Sequence, residues 1–222
     1  LLVSGALVFT LLSLLAIERW AFRRARRRVP LRVHVNGIRG KSSVTRLIAA
    51  GLRAGGVKTW AKVTGTLPRL IDEHGGDVPI TRSGAASIGE QRAVITEAAR
   101  AGVGALVIEC MALKPLNQSV AEDGFVAAHA TVITNVREDH VEVYGEGWEG
   151  AAAALARTVP RRGILFTTEG PALPYLRQAA ARRRSEIRVV GTWVDDAVLR
   201  RFSYIEHAEN IALALAVCTW AG

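Results

Sequence analysis

Two cysteines in 222 residues are too few to support a disulfide framework. Cys110 and Cys218 lie far apart in apolar surroundings, which points to reduced, buried thiols in a cytosolic domain. No internal repeat is visible, and no methionine begins the chain, which leaves room for upstream residues. Charge is absent from the first 17 residues, "LLVSGALVFTLLSLLAI". Acidic residues are outnumbered 20 to 29 by Lys and Arg, a net charge of +9 that suits either nucleic acid or an anionic membrane surface. The position of the charge selects the membrane. Six of the ten residues from Arg19 to Arg28 are arginine, and they follow the uncharged run directly. A second cluster, Arg182 to Arg184, reads as the solvated end of a helix.

The uncharged run is at the lower limit for crossing a hydrocarbon core of about 30 Å. A secretory signal places basic residues before its apolar stretch and a small-residue cleavage site after it. Here the order is reversed, which describes an uncleaved anchor. The arginines put its C-terminal side in the cytoplasm, and Trp20 and Phe22 suit the interface. The competing reading is a buried or peripheral N-terminal helix. The expected organisation is therefore a transmembrane anchor over 1–18, a basic juxtamembrane linker over 19–30 and a folded domain over 31–222.

The chain has ample apolar material for a core, since 50% of all residues are apolar and only 22% charged. Apolar runs at 31–35, 57–63, 105–110, 130–136, 163–168 and 187–192 read as strands. Amphipathic helical segments lie between most of them, such as Ser42 to Ala54 with Val44, Leu47, Ile48 and Leu52 on one side. Strands alternating with helices predict an α/β fold with a mostly parallel sheet covered on both faces. Ligands of such sheets bind beyond the carboxyl ends of the strands.

The first strand runs into "NGIRGKSS". Gly37 and Gly40 allow backbone amides to face an anion, and the following helix presents its N-terminal dipole. Lys41 reaches terminal phosphate oxygens, and the Ser42 hydroxyl can ligate magnesium. Asn36, Gly37, Gly40, Lys41, Ser42 and Ser43 thus form a candidate phosphate-binding loop. It departs from the G-x-x-x-x-G-K-[ST] pattern, whose first glycine falls on Val35. An ordinary strand-to-helix turn would leave Lys41 without a purpose.

Two later strand ends carry the complementary groups. Glu109 closes the otherwise apolar "ALVIE", where a carboxylate can hold magnesium. "VITNVREDH" ends in Asn135, Asp139 and His140. His140 is a candidate ligand or orienting group, and equally a solvated loop histidine.

Together "NGIRGKSSVTRLI", "IGEQ" (88–91), "IECMA" (108–112) and "TNVREDH" (134–140), following an apolar segment, resemble the poly-γ-glutamate synthase family of CapB and PgsB proteins. That family falls within the Mur ligase and folylpolyglutamate synthase group of ATP-dependent amide ligases. The likeness runs from the anchor to "HAENIALALAV" (207–217).

The resemblance implies a P-loop-type Mur ligase central-domain fold. It also implies a reaction in which ATP phosphorylates the γ-carboxylate of a glutamate chain and an incoming glutamate amine forms the amide, releasing ADP and phosphate. Lys41, Glu109 and His140 would be the catalytic residues, ATP and Mg2+ the cofactors, and Ser42, Glu109 and His140 the metal ligands. Asn210 would contact adenine, although it equally suits a cap on the apolar helix that follows.

Implied partners are glutamate and its polymer, a multi-span membrane subunit (CapC/PgsC-like) and a polymer-handling subunit (CapA/PgsA-like), with no nucleic acid. Mur ligases also carry a carbamoylated lysine downstream of the histidine, and no lysine occurs between Val141 and Pro160. Their separate C-terminal domain has no counterpart before Gly222. Lys62, Arg69, Arg82 and Arg137 are candidates for an acidic substrate, each equally a solvated surface charge, and "TGT" (64–66) and "IGEQ" (88–91) read as loops for phosphate or substrate contact, without individual roles. A membrane-anchored P-loop NTPase driving polymer export or assembly, and a noncatalytic scaffold, are the alternatives.

Overall fold

The computed structural model describes residues 2–65, 67–82 and 87–222, so Thr66 of the "TGT" segment lies outside the described residues. A long helix, α1 (Leu2–Arg27), leads into β1 (Leu31–Asn36), α2 (Lys41–Ala54) and β2 (Thr59–Val63). Two short strands, β3 (Arg69–Ile71) and β4 (Asp77–Pro79), precede α3 (Glu90–Ala101) and β5 (Ala105–Glu109). The chain continues through α4 (Pro115–Ser119), a π-helical stretch (Val120–Val126), β6 (Ala130–Ile133), α5 (Val141–Tyr144) and α6 (Glu149–Leu155). A 3-10 turn (Ala156–Thr158) then leads to β7 (Ile164–Thr168), α7 (Leu173–Arg183), β8 (Glu186–Val190), α8 (Asp196–Leu199) and α9 (Ala208–Ala221).

The eight strands form one sheet in the order β4-β3-β2-β5-β1-β6-β7-β8. All six strands expected from the apolar runs are present and parallel to one another along the sheet. The antiparallel edge formed by β3 and β4 was not expected. Three residues are too few to show a periodic pattern, and the Asp72 turn that joins the two strands leaves no apolar run.

Period-two alternation splits the strands between two cores. Val33, Val35, Ala61, Val107, Val132 and Phe166 face α2 and α9, where Ile48, Leu52, Leu213 and Val217 are fully or almost fully buried. Leu106 and Ile108 face α3 and the π-helical stretch, against Ile95, Ala98 and Val126. Ile133 and Leu165 pack on α6 and α7 through Leu155, Leu176 and Ala180. Each fully buried Leu or Ile contributes roughly 1.5–3 kcal/mol, so these two layers hold the sheet and fix where its carboxyl edge points.

Among the described residues α1 is the one helix long and apolar enough to cross a membrane, by length and composition. Its uncharged part is exposed, with Leu7, Phe9, Leu12 and Ile17 all more than half accessible. The helix does not stop there. It continues through the arginine block to Arg27, so the segment expected as a linker is helical and docked on the domain through the buried Phe22.

Candidate active site

β1 ends in the middle of the sheet, between β5 and β6, and its next four residues fold into a loop capped by α2. Two glycines make that loop possible. Gly37 has φ 131°, and a Cβ there would overlap the Thr134 hydroxyl. Gly40 has φ 80°, and a Cβ would meet the Asn210 side-chain oxygen at 2.5 Å. Side chains cost energy in this region of φ. Asn135, at the end of β6, brackets the loop: its Oδ1 accepts from the Arg39 amide at 3.0 Å and its Nδ2 donates to the Arg39 carbonyl at 3.1 Å.

Lys41 opens α2, and its ammonium donates to the carbonyls of Gly37 (2.8 Å) and Ile38 (3.1 Å). Burial lowers its pKa, with Glu109 opposing that shift. An ammonium held against its own loop can move to an arriving phosphate. Ser42 donates to Glu109 Oε2 at 2.8 Å, and the Thr64 amide donates to the same oxygen at 2.8 Å. The carboxylate, buried to 3% exposure, is thus fixed beside the loop by groups from α2 and the end of β2. This is the hydroxyl and carboxylate pair the sequence motif anticipates.

Beyond these strand ends lies a cavity of about 200 Å³, lined by Asn36, Gly37, Lys41, Thr64, His140 and Tyr144 among others. His140 sits at φ 50° ahead of α5, with Nδ1 at 3.3 Å from Glu142 and its ring edge-on to Tyr144. It therefore shares a cavity with Lys41 but has no metal-binding cluster around it. Among the described residues no group of three or more His, Cys, Asp and Glu side chains could hold a metal ion.

Asn36 plays a different part from the rest of its motif. Its amide donates to Gln118 (2.9 Å) and Thr158 (3.1 Å), and its Oδ1 accepts from the Gly37 amide at 2.9 Å, so its side chain braces the loop from below. Ser43 is half-buried in the first turn of α2. Asn210, in the first turn of α9, is buried against Gly40 and donates to Glu206 at 2.7 Å. It is not α9's N-cap, a place that falls to His207.

The cavity wall carries charge the motifs left unassigned. Lys62, fully buried on β2, lies 2.9 Å from Glu90 Oε1, and Arg82 grips the same carboxylate through two bonds of 2.6 and 3.2 Å. Two cations on one anion leave a net positive charge behind the cavity that Arg82 lines. Burial lowers the Lys62 pKa, opposed by Glu90. Lys62 and Arg82 were candidates for acidic substrate. Glu90 stood unassigned within "IGEQ", because nothing in a sequence tells which carboxylate will meet a buried lysine. Of the other candidates, Arg69 pairs with Asp77 on the edge hairpin and Arg137 lies 3.6 Å from Glu209. Tyr144 had no sequence signal.

A parallel α/β sheet with a glycine-bracketed loop, lysine and hydroxyl at the start of a helix, and a carboxylate on the neighbouring strand defines a P-loop-type domain. The chain belongs to the Mur ligase family, whose middle domain matches residues 35–217. It is 40% identical over 200 residues to the capsule biosynthesis protein CapB of Bacillus anthracis, covering 87% of this chain and 42% of that protein. The PGA synthase CapB of Bacillus subtilis is 37% identical over 197 residues, covering 87% of this chain and 50% of its own length. The chain thus spans about half the length of these curated relatives. Among solved structures, E. coli FolC in complex with ADP superposes with a TM-score of 0.72 at 17% identity, over 91% of this chain and 56% of that one. The folylpolyglutamate synthetase of Helicobacter pylori gives 0.64 at 15% identity, over 86% and 53%. At those identities the likeness is one of fold.

Proposed function

We propose that this chain carries the ATP site of an amide ligase that extends poly-γ-glutamate. The observation that carries the reading is the meeting of Ser42 and Glu109 beside Lys41 at the carboxyl edge of the sheet. A hydroxyl and a carboxylate on adjacent elements are the oxygen donors magnesium prefers, so Ser42 and Glu109 fit that ion, with His140 on the same cavity as a third candidate. When bound, magnesium supplies charge neutralisation to the phosphates.

ATP enters with its phosphates over the loop amides and the α2 N-terminus, and Lys41 moves from the Gly37 and Ile38 carbonyls to the γ-phosphate oxygens. Asn210, which borders the loop at Gly40, contacts adenine in this reading. A γ-carboxylate oxygen of the glutamate chain attacks the γ-phosphorus, and ADP leaves. The amine of the incoming glutamate then attacks the acyl carbon, expelling phosphate and giving up a proton as the γ-amide forms. Lys41 and the loop amides stabilise the charge that builds on the transferred group. The positive charge left by Lys62, Arg82 and Glu90 suits the anionic chain. α1 spans the membrane with its basic end and the domain in the cytoplasm, in a capsule synthesis complex with a multi-span subunit (CapC/PgsC-like) and a polymer-handling subunit (CapA/PgsA-like).

The test is ADP release by membranes containing the full protein, measured with and without glutamate. Release should depend on glutamate, and Lys41→Ala should lower it, with polymer formation, by at least about 10²-fold. Equal release without glutamate would assign the site to a plain NTPase instead.

A further inference from the structure

We infer that α1 holds the carboxyl edge of the sheet, and with it the active site, facing the lipid bilayer. The inference rests on the reading of α1 as a membrane span and adds to it an orientation. A flexible linker over 19–30 would have left the domain free to turn, but the helix is continuous and docked.

Its direction follows from the contacts. Arg26 at its end donates to the Phe125 carbonyl at 3.2 Å, and the Leu31 amide donates to the Gly104 carbonyl at 3.1 Å, so the helix ends at the amino edge of the sheet. Eight residues before Arg26, Glu18 pairs at 2.7 Å with Arg92, in the first turn of α3. That turn lies at the carboxyl edge, since Glu90 binds Lys62 near the end of β2. Between the two, Phe22 is buried edge-on to Phe125, with Arg92 over its ring at 5.2 Å. From Glu18 to Arg27 the helix descends about 14 Å, close to the roughly 17 Å that β1 climbs.

The apolar residues before Glu18 therefore rise beyond the carboxyl edge, by about 24 Å. A bilayer around them has its headgroups level with that edge, where the Lys41 and Arg82 cavity opens. Lys114, exposed on the same edge, suits anionic headgroups, while Arg39 there is paired with Asp139 at 2.8 Å. An anionic polymer would then be extended and released in the space next to the membrane, not at the far side of the domain.

Headgroup quenching tests this in the full chain, reconstituted into phosphatidylcholine and phosphatidylglycerol vesicles containing a headgroup-nitroxide lipid. A fluorophore is placed by Lys114→Cys at the carboxyl edge or by Arg161→Cys beside the amino end of β7. The wild-type chain, whose Cys110 is buried and Cys218 half-buried, serves as the labelling blank. Quenching at 114 should exceed that at 161 several-fold, and Phe22→Asp, which undocks the helix, should bring the two together. Equal or reversed quenching in a chain that withstands alkaline carbonate overturns the orientation alone. A chain that washes off the vesicles removes the span and the orientation with it.

Discussion

The side chains that matter most at residue scale are those the fold buries with charge. His34 is completely buried, and its Nδ1 meets Glu122 at 2.8 Å. Burial pushes the imidazole down, but Cys110 and Glu122 beside it outweigh burial and raise it to about 10. A group raised in the folded state stabilises fully below its unfolded pKa, near 6.5, and loses that contribution as pH climbs through the folded value. Thermal stability should therefore fall between about pH 6.5 and pH 10. Glu122→Gln keeps an oxygen for the Ala128 amide, which Glu122 now bonds at 2.9 Å, and removes the charge. Melting curves across that pH range should be flatter for the variant, and parallel curves would show that the Glu122 charge does not contribute to the shift. None of this was legible in "VHVN", where His34 is one polar residue in a strand. Its partner is 88 residues away, brought there by the π-helical stretch. Lys41, Ser42 and Glu109 were legible, because each lies at or just after the end of a strand in a parallel pattern.

Elements set the strain and spacing of the loop. Gly40 and Gly56 share nearly the same φ, 80° and 82°, but a Cβ at Gly56 has nothing within 4 Å while one at Gly40 strikes Asn210. Gly56→Ala should cost only the left-handed penalty of about 1–2 kcal/mol. Gly40→Ala should cost more in thermal denaturation, and it alone should weaken binding of a fluorescent ATP analogue. Equal losses in both variants would mean that α9 does not press on the loop. The contact joins residues 40 and 210 through the packing of α9 on α2. Apolar content marks both helices along the chain but not their adjacency, because helix packing depends on which grooves meet in space. The two short edge strands escaped for a similar reason: pairing, of β3 with β2 and of β4 with β3, makes them strands, not composition.

For the molecule as a whole, the division of α1 is decisive. Residues 4–17 contribute almost nothing to the cores, whereas Phe22 and Val29 are buried and Arg32 donates to the carbonyls of Arg26 and Val29 at 3.2 and 2.7 Å. A chain beginning at Glu18 should keep the wild-type urea midpoint while losing vesicle binding. One beginning at Pro30 should lose roughly 3–6 kcal/mol, from two buried apolar side chains. An unchanged midpoint in the second truncation would show that the arginine segment is a tether after all.

The sequence by itself determined the alternation of strands and helices, the apolar span, the loop with its lysine and serine, and the carboxylate at a strand end. These are local patterns, set by the period of burial and the backbone needs of a phosphate-type loop. Only the tertiary structure decided that Glu90 ties Lys62 to Arg82, that Asn210 abuts Gly40, and that Glu18 of α1 pairs with Arg92 at the start of α3. Those relations join residues distant along the chain, and they exist only once the two buried layers have fixed where each side chain lies.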